Sequence, residues 1–178
     1  MGKIWEIKLP LKDEDIHKLK CGDEVWLTGV MYTARDAAHK RFMCLLEEKQ
    51  PLPIPIESAV IYYVGPCPAK PGEAIGSAGP TTSGRMDSYT TELLDKGLKG
   101  MIGKGDRSSE VIESMKKNKA VYFAAVGGAG ALLASHIRRA EPIAFCDLGP
   151  EAVYRLEVER FPVFVAVDAF GENVYDRK

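Results

Sequence analysis

The sequence predicts an α/β fold: a mixed sheet covered by helices, with an extra β layer. Three observations predict it. Apolar, β-branched runs at 59–64 and 120–126 alternate with helical periodicity at 88–96 and 109–117. Both ends of the chain carry strand patterns. The 178 residues suit one domain over 1–178.

In order along the chain, 4–9 alternates apolar and polar residues and predicts a half-buried strand. Residues 13–19 begin with acids and end in lysines, as a short helix matched to its dipole does. Val, Trp, Leu, Thr and Tyr across 24–33 predict a second strand, with Gly29 inside it marking a bulge or a close approach. Thr33 is placed to cap a helix beginning at Ala34-Arg35-Asp36. Ala38, Phe42, Leu45 and Leu46 form its apolar face, while Arg35 and His39 lie one turn apart on another. A cation in the first turn opposes the helix dipole, so Arg35 is either part of a solvated basic face or a group aimed into a site at the strand end.

Pro51, Pro53 and Pro55 form an extended link to the buried strand 59–64. The Pro- and Gly-rich segment 65–80 is long for a loop and is expected to line a site. A helix, a short strand at 99–102 and a second helix ending in Lys116, Lys117 and Asn118 follow. Val111, Ile112 and Met115 are its expected buried stripe. After 120–126, Gly127-Gly-Ala-Gly130 opens a helix expected to run to Ile137. It looks like a dinucleotide fingerprint, but Leu133 stands where the third glycine or alanine belongs. Strands are expected at 143–147, 153–159 and 163–169, then a hairpin into Val174 and Tyr175.

Charge excludes some functions. With 24 Lys and Arg against 25 Asp and Glu, no basic stripe invites nucleic acid. No apolar run reaches the length of a membrane span. The first ten residues have no signal-peptide core, which predicts a cytoplasmic protein. Cys21, Cys44, Cys67 and Cys146 are scattered, without zinc or cluster spacing, and Cys44 is expected to be buried. No iron–sulfur or zinc site is therefore expected in this chain.

Two loops carry anion chemistry. In 79–91, Gly79, Pro80 and Gly84 let the backbone approach a ligand, Thr81, Thr82 and Ser83 supply hydroxyls, and Arg85 offers a guanidinium fork suited to a carboxylate or phosphate. The helix after it turns its amide-rich start toward the same loop. In 103–109, Lys104 stands between two glycines at a strand-to-helix turn that lacks Walker spacing.

Together, Tyr32-Thr-Ala-Arg-Asp-Ala-Ala-His39, Gly79-Pro-Thr-Thr-Ser-Gly-Arg-Met-Asp-Ser88, Gly103-Lys-Gly-Asp-Arg-Ser108, Gly127-Gly-Ala-Gly-Ala-Leu132 and Glu159-Arg-Phe-Pro-Val-Phe164 resemble the β subunit of class I, iron–sulfur-dependent fumarate hydratase and L-tartrate dehydratase, which is the C-terminal domain of single-chain members. The resemblance covers nearly the whole chain, with the motifs in the same order. It implies the swivelling β/β/α fold and hydration of fumarate to (S)-malate, or alternatively dehydration of tartrate to oxaloacetate. It implies a separate α subunit that carries a [4Fe–4S] cluster, an α2β2 assembly, and a small dicarboxylate substrate bound between subunits. Substrate-binding positions carry over onto Arg35, Arg85 and Lys104, and the catalytic threonine onto Thr81, with Thr82 beside it as the alternative. A non-catalytic anion-binding module of the same fold is the contrasting class.

Overall fold

The computed structural model describes residues 3–125 and 129–176. Strand β1 (Ile4–Lys8) leads through α1 (Asp13–Lys18) to β2 (Glu24–Thr33), α2 (Asp36–Glu47) and β3 (Val60–Tyr62). A 3-10 turn (Ser83–Met86) then runs into α3 (Asp87–Asp95), followed by β4 (Gly100–Gly103), α4 (Ser109–Asn118), β5 (Val121–Ala124) and α5 (Gly130–Ser135). Strand β6 (Ile137–Ala144), a 3-10 segment (Cys146–Glu151), β7 (Val153–Val167) and a 3-10 turn (Val174–Asp176) complete the order.

The seven strands form one sheet, β1-β2-β3-β4-β5-β7-β6, in which β7 also pairs with β2. Strands β1 to β5 pair in parallel, while β7 runs antiparallel to β2, β5 and β6. Because β7 bonds to both β2 and β5, the ring β2-β3-β4-β5-β7 closes. The returning strand β7 and the edge strand β6 belong to this same sheet. Tyr62 on β3 and Phe161 on β7 are not ladder neighbours, yet their ring centroids lie 5.4 Å apart, across the interior.

Strand periodicity sorts side chains into two cores. Val60, Tyr62 and Val64 join Ile102, Phe123, Leu156 and Val163 inside the ring. Ile61 and Tyr63 turn outward and meet Ala38 and Phe42 of α2, Leu93 and Leu94 of α3, and Val111 and Met115 of α4. The middle strands are therefore buried on both faces, which is why they read as continuous apolar runs. Gly29 satisfies both expectations for it. The β2–β7 register shifts at Leu27/Gly29, its φ is +135°, and a Cβ there would meet Leu9 Cβ at 2.9 Å.

Five local expectations are corrected. Thr33 does not cap α2. Its hydroxyl donates to the Ala152 carbonyl (3.3 Å) and accepts from Tyr154 N–H (3.0 Å), and Arg35 holds the cap position with no side-chain cap bond. The strand expected at 143–147 is β6, which starts at Ile137. Arg138, Arg139, Glu141 and Pro142 disguise it, as an edge strand permits. The two strands expected at 153–159 and 163–169 are one, turned at Arg160 (φ 49°) rather than broken. The terminal hairpin reduces to a single bridge, Val167 to Asn173. The Asp168 carboxylate takes the amides of Phe170 (3.0 Å) and Glu172 (3.1 Å), a local alternative to a ladder. Of the glycine-rich stretch, Gly127 and Gly128 lie outside the described residues, and the helix beyond spans only Gly130–Ser135.

Candidate active site

Parallel pairing sets the carboxyl ends of three strands side by side. Thr33 pairs with Tyr62, and Tyr62 with Ile102. Ligands of parallel α/β sheets bind at this end, because the loops there diverge. The segments leaving β2, β3 and β4 carry the four candidate residues. Arg35 lies two residues past β2. The long 65–80 loop after β3 returns so that Thr81 N–H donates to the Tyr63 carbonyl (2.7 Å). Lys104 follows β4, and its N–H donates to the Thr81 carbonyl (3.3 Å). Ser83 N–H donates to the Lys104 carbonyl (2.9 Å), and Thr82 bridges to Lys104. Thr81 is half-buried; Thr82 and Lys104 are exposed.

Arg85 sits four residues beyond Thr81 on the same loop. Its Nε and Nη2 donate to the two oxygens of Asp36, at 3.2 and 2.9 Å. Arg35 leans on the same carboxylate, Nη2 to Oδ2 at 3.8 Å, and on Glu151 at 3.9 Å. The Arg35 Nε is buried without a hydrogen-bond partner among the described residues. Gly65 makes room for this arginine: a Cβ there would lie 2.8 Å from Nη1. Glu151 also accepts from Ala37 N–H (3.4 Å), so the amide-rich start of α2 already faces a carboxylate of the chain itself. Lys104 makes no ion pair among the described residues. Thus Arg35 and Arg85 meet through Asp36, Thr81 and Lys104 meet through the backbone, and the loop from Thr81 to Arg85 joins the two pairs.

Beneath the loop is a buried layer that the sequence reading missed. Arg107, 4% exposed, donates Nε to Asp87 (2.7 Å) and Nη2 to Thr90 (2.9 Å) and Tyr63 (3.3 Å). Its guanidinium also lies 5.3 and 4.9 Å from the rings of Tyr63 and Tyr122. Burial works against its charge, but Tyr63 and Asp87 more than offset this and raise its pKa. Ser83 Oγ and Tyr122 Oη are 2.7 Å apart, and Tyr122 donates to the Gly105 carbonyl (2.7 Å). Burial raises the Tyr122 pKa and keeps it a neutral donor. The only signal in sequence was the position of Arg107 within the Gly103–Ser108 motif.

His39 is the clearest correction. Expected to share a face with Arg35, it is fully buried among Phe42, Tyr63 and Tyr89. Its Nδ1 lies 2.7 Å from the Arg35 carbonyl and so carries the proton, while Nε2 has no hydrogen-bond partner among the described residues. Burial lowers its pKa from 6.5 to about 4. The folded chain refuses a proton that the unfolded chain accepts below pH 6.5. Stability is therefore expected to fall as pH drops from 6.5 toward 4, by about 2–3 kcal/mol from this group at about 1.4 kcal/mol per pH unit. Urea unfolding at pH 7 and 4.5 checks this. His39→Phe should lose less stability between the two pH values than the parent does, and equal losses would contradict it.

Cys44 is exposed rather than buried, because the α2 face that meets the sheet is that of Ala38 and Phe42. Cys67 and Cys146 are exposed as well. Among the described residues no three His, Cys, Asp or Glu side chains gather to hold a metal ion. Among the described residues no helix is long and apolar enough to cross a membrane.

A family model described as Fumarase C-terminus matches residues 3–178. The chain is 34% identical over 179 residues to the L(+)-tartrate dehydratase subunit beta of Escherichia coli, covering 98% of this chain and 87% of that one. It is 37% identical over 176 residues to Fumarate hydratase 2 of Leishmania major, covering 97% of this chain and 31% of the relative. To the aerobic class I fumarate hydratase of Escherichia coli it is 39% identical over 153 residues, covering 85% and 26%. The chain thus spans less than a third of the length of these fumarate hydratases.

Proposed function

The chain belongs to the Fumarase C-terminus family, and from that premise we propose that it is the β subunit of a cytoplasmic hydro-lyase that reversibly hydrates fumarate to (S)-malate. The observation that carries the proposal is the convergence of Arg35 and Arg85 on one carboxylate, with Lys104, which makes no ion pair among the described residues, bonded through its backbone to the Thr81 loop. Two guanidiniums and an ammonium on the segments that leave three neighbouring strands suit a dicarboxylate, each charge-assisted bond contributing about 1.5–3 kcal/mol. The closed ring and the helical layer over Ile61 and Tyr63 support the swivelling β/β/α fold.

The described residues do not fit an iron–sulfur cluster, since no cysteine set is gathered. The proposal puts a [4Fe–4S] cluster on an α subunit in an α2β2 assembly. This chain's share is binding and proton movement. Adding water across the double bond creates carbanion character beside a carboxylate, onto which the charge spreads. Arg35, Arg85 and Lys104 stabilise that charge by fixed donors. A threonine hydroxyl is too weak an acid to be ionised at neutral pH, so Thr81 donates or relays the proton at the carbon next to the hydroxylated one.

The second reading, L-tartrate dehydratase, is supported by coverage of 87% of the Escherichia coli β subunit. Co-expression with the cluster-bearing subunit, anaerobic purification and assay on fumarate, malate and L-tartrate separates the two. Arg85→Ala is expected to lower kcat/KM on the preferred substrate by about 10²–10³, the effect of losing one transition-state donor. Undiminished turnover would overturn the assignment. Micromolar dicarboxylate binding by a chain that engages no partner and never turns over would favour the non-catalytic module.

A further inference from the structure

We infer that Asp36 is a positioning residue: it holds the Arg85 guanidinium side-on so that the outer edge of the fork faces the substrate carboxylate. The inference rests on the reading of Arg35 and Arg85 as substrate-carboxylate ligands. An arginine binds a carboxylate through one of two edges, Nε with Nη2 or Nη1 with Nη2. In this chain Asp36 takes the first edge with both oxygens, at 3.2 and 2.9 Å, leaving Nη1 and the second proton of Nη2 to point away. The bond spans 49 residues and ties the helix after β2 to the loop that carries Thr81.

An isolated half-exposed ion pair contributes little, about 0–1 kcal/mol. Three features separate this one from that case. Asp36 is the first residue of α2, where the helix dipole stabilises its charge and the helix fixes its backbone. Its side chain is only 28% exposed, while Arg85 is 52% exposed and otherwise unheld among the described residues. Arg35, its chain neighbour, approaches the same oxygen at 3.8 Å, so one carboxylate sets the spacing of both cations. It also lowers their mutual repulsion when no substrate is bound. A long flexible side chain fixed in advance loses less entropy on binding, and this raises affinity rather than the rate of the chemical step.

The test is a double-mutant cycle in the co-purified pair. Asp36→Ala is expected to raise KM about tenfold, the size of one charge-assisted contact, with kcat held within about threefold. Added to Arg85→Ala, it should cause a much smaller further loss, because only the 3.8 Å approach of Arg35 is left to remove. Asp36→Asn, which keeps one acceptor oxygen, should fall between. Losses that simply add, or a kcat effect without a KM effect, would overturn the inference. A second measurement needs no turnover: phenylglyoxal labelling of the full chain, read by peptide mass mapping. Freed from Asp36, Arg85 should label severalfold faster in Asp36→Ala, and an unchanged rate would also overturn the inference. A parent pair inactive on both fumarate and tartrate would defeat the proposed function, while the labelling rate would still decide the role of Asp36.

Discussion

Replacing Thr81 by alanine in the co-purified pair is expected to lower kcat by about 10²–10⁴, the range for loss of a positioned proton donor, with little change in KM. The main chain at this position is pinned on both sides. Thr81 N–H donates to Tyr63 and the Thr81 carbonyl accepts from Lys104, and neither bond involves the side chain. Alanine therefore removes a hydroxyl and leaves the loop in place. Thr81→Ser, which keeps the hydroxyl, should recover most of the rate. Thr82 is exposed and offers the contrast: Thr82→Ala should cost less than about fivefold. Steady-state assays on the three variants decide the matter. If Thr82→Ala carries the loss, the two roles exchange. If neither does, the loop hydroxyls take no part in proton transfer.

Arg107→Ala is expected to lower stability by about 3–5 kcal/mol, the usual consequence of breaking a buried ion pair from one side. The guanidinium has a fully buried side chain, and Asp87 is only 16% exposed. Removing the cation leaves that carboxylate with only the Ser108 N–H (2.8 Å) among its present partners, and strips a donor from Thr90 and Tyr63. It also opens a void between two aromatic rings. For a chain of this size the loss corresponds to a Tm lower by roughly 10 °C. Arg107→Lys should rescue little, because a single ammonium cannot span Asp87, Thr90 and Tyr63. The double variant Arg107→Met, Asp87→Asn removes both charges and should be more stable than Arg107→Ala alone. Urea unfolding at pH 7 measures all three, and an Arg107→Ala variant within 1 kcal/mol of the parent would contradict the assignment.

The elements that were legible in the sequence are those whose residues answer to their own neighbours in the chain. Strand β2 shows β-branched and aromatic residues over its whole length, and its bounds, Glu24–Thr33, match the reading. Helix α4 carries its own cap, Ser108 accepting from Val111 N–H, and its own basic end. The loop glycines, Arg85 and Lys104 stood out because fork, hydroxyl and glycine are chemical properties of single residues. Strand β6 was hidden because an edge strand with one wet face has no need of apolar residues.

What the sequence by itself determined is the inventory: the mixed α/β class, the family, and which loops bring together glycines, hydroxyls and cations. What only the tertiary structure decided is the pairing of charges. Arg35 is the chain neighbour of Asp36, but Arg85, 49 positions on, reaches that carboxylate only because parallel registry sets β2, β3 and β4 side by side. Arg107 has no assigned role in the sequence, and only the fold closes Asp87, Thr90 and Tyr63 around it. His39 reads as a partner of Arg35 until the helix rotates it against the sheet. The physical reason is the same in each case. Burial and charge compensation belong to pairs of groups brought together across the sheet, and no single segment of chain encodes which partner will arrive.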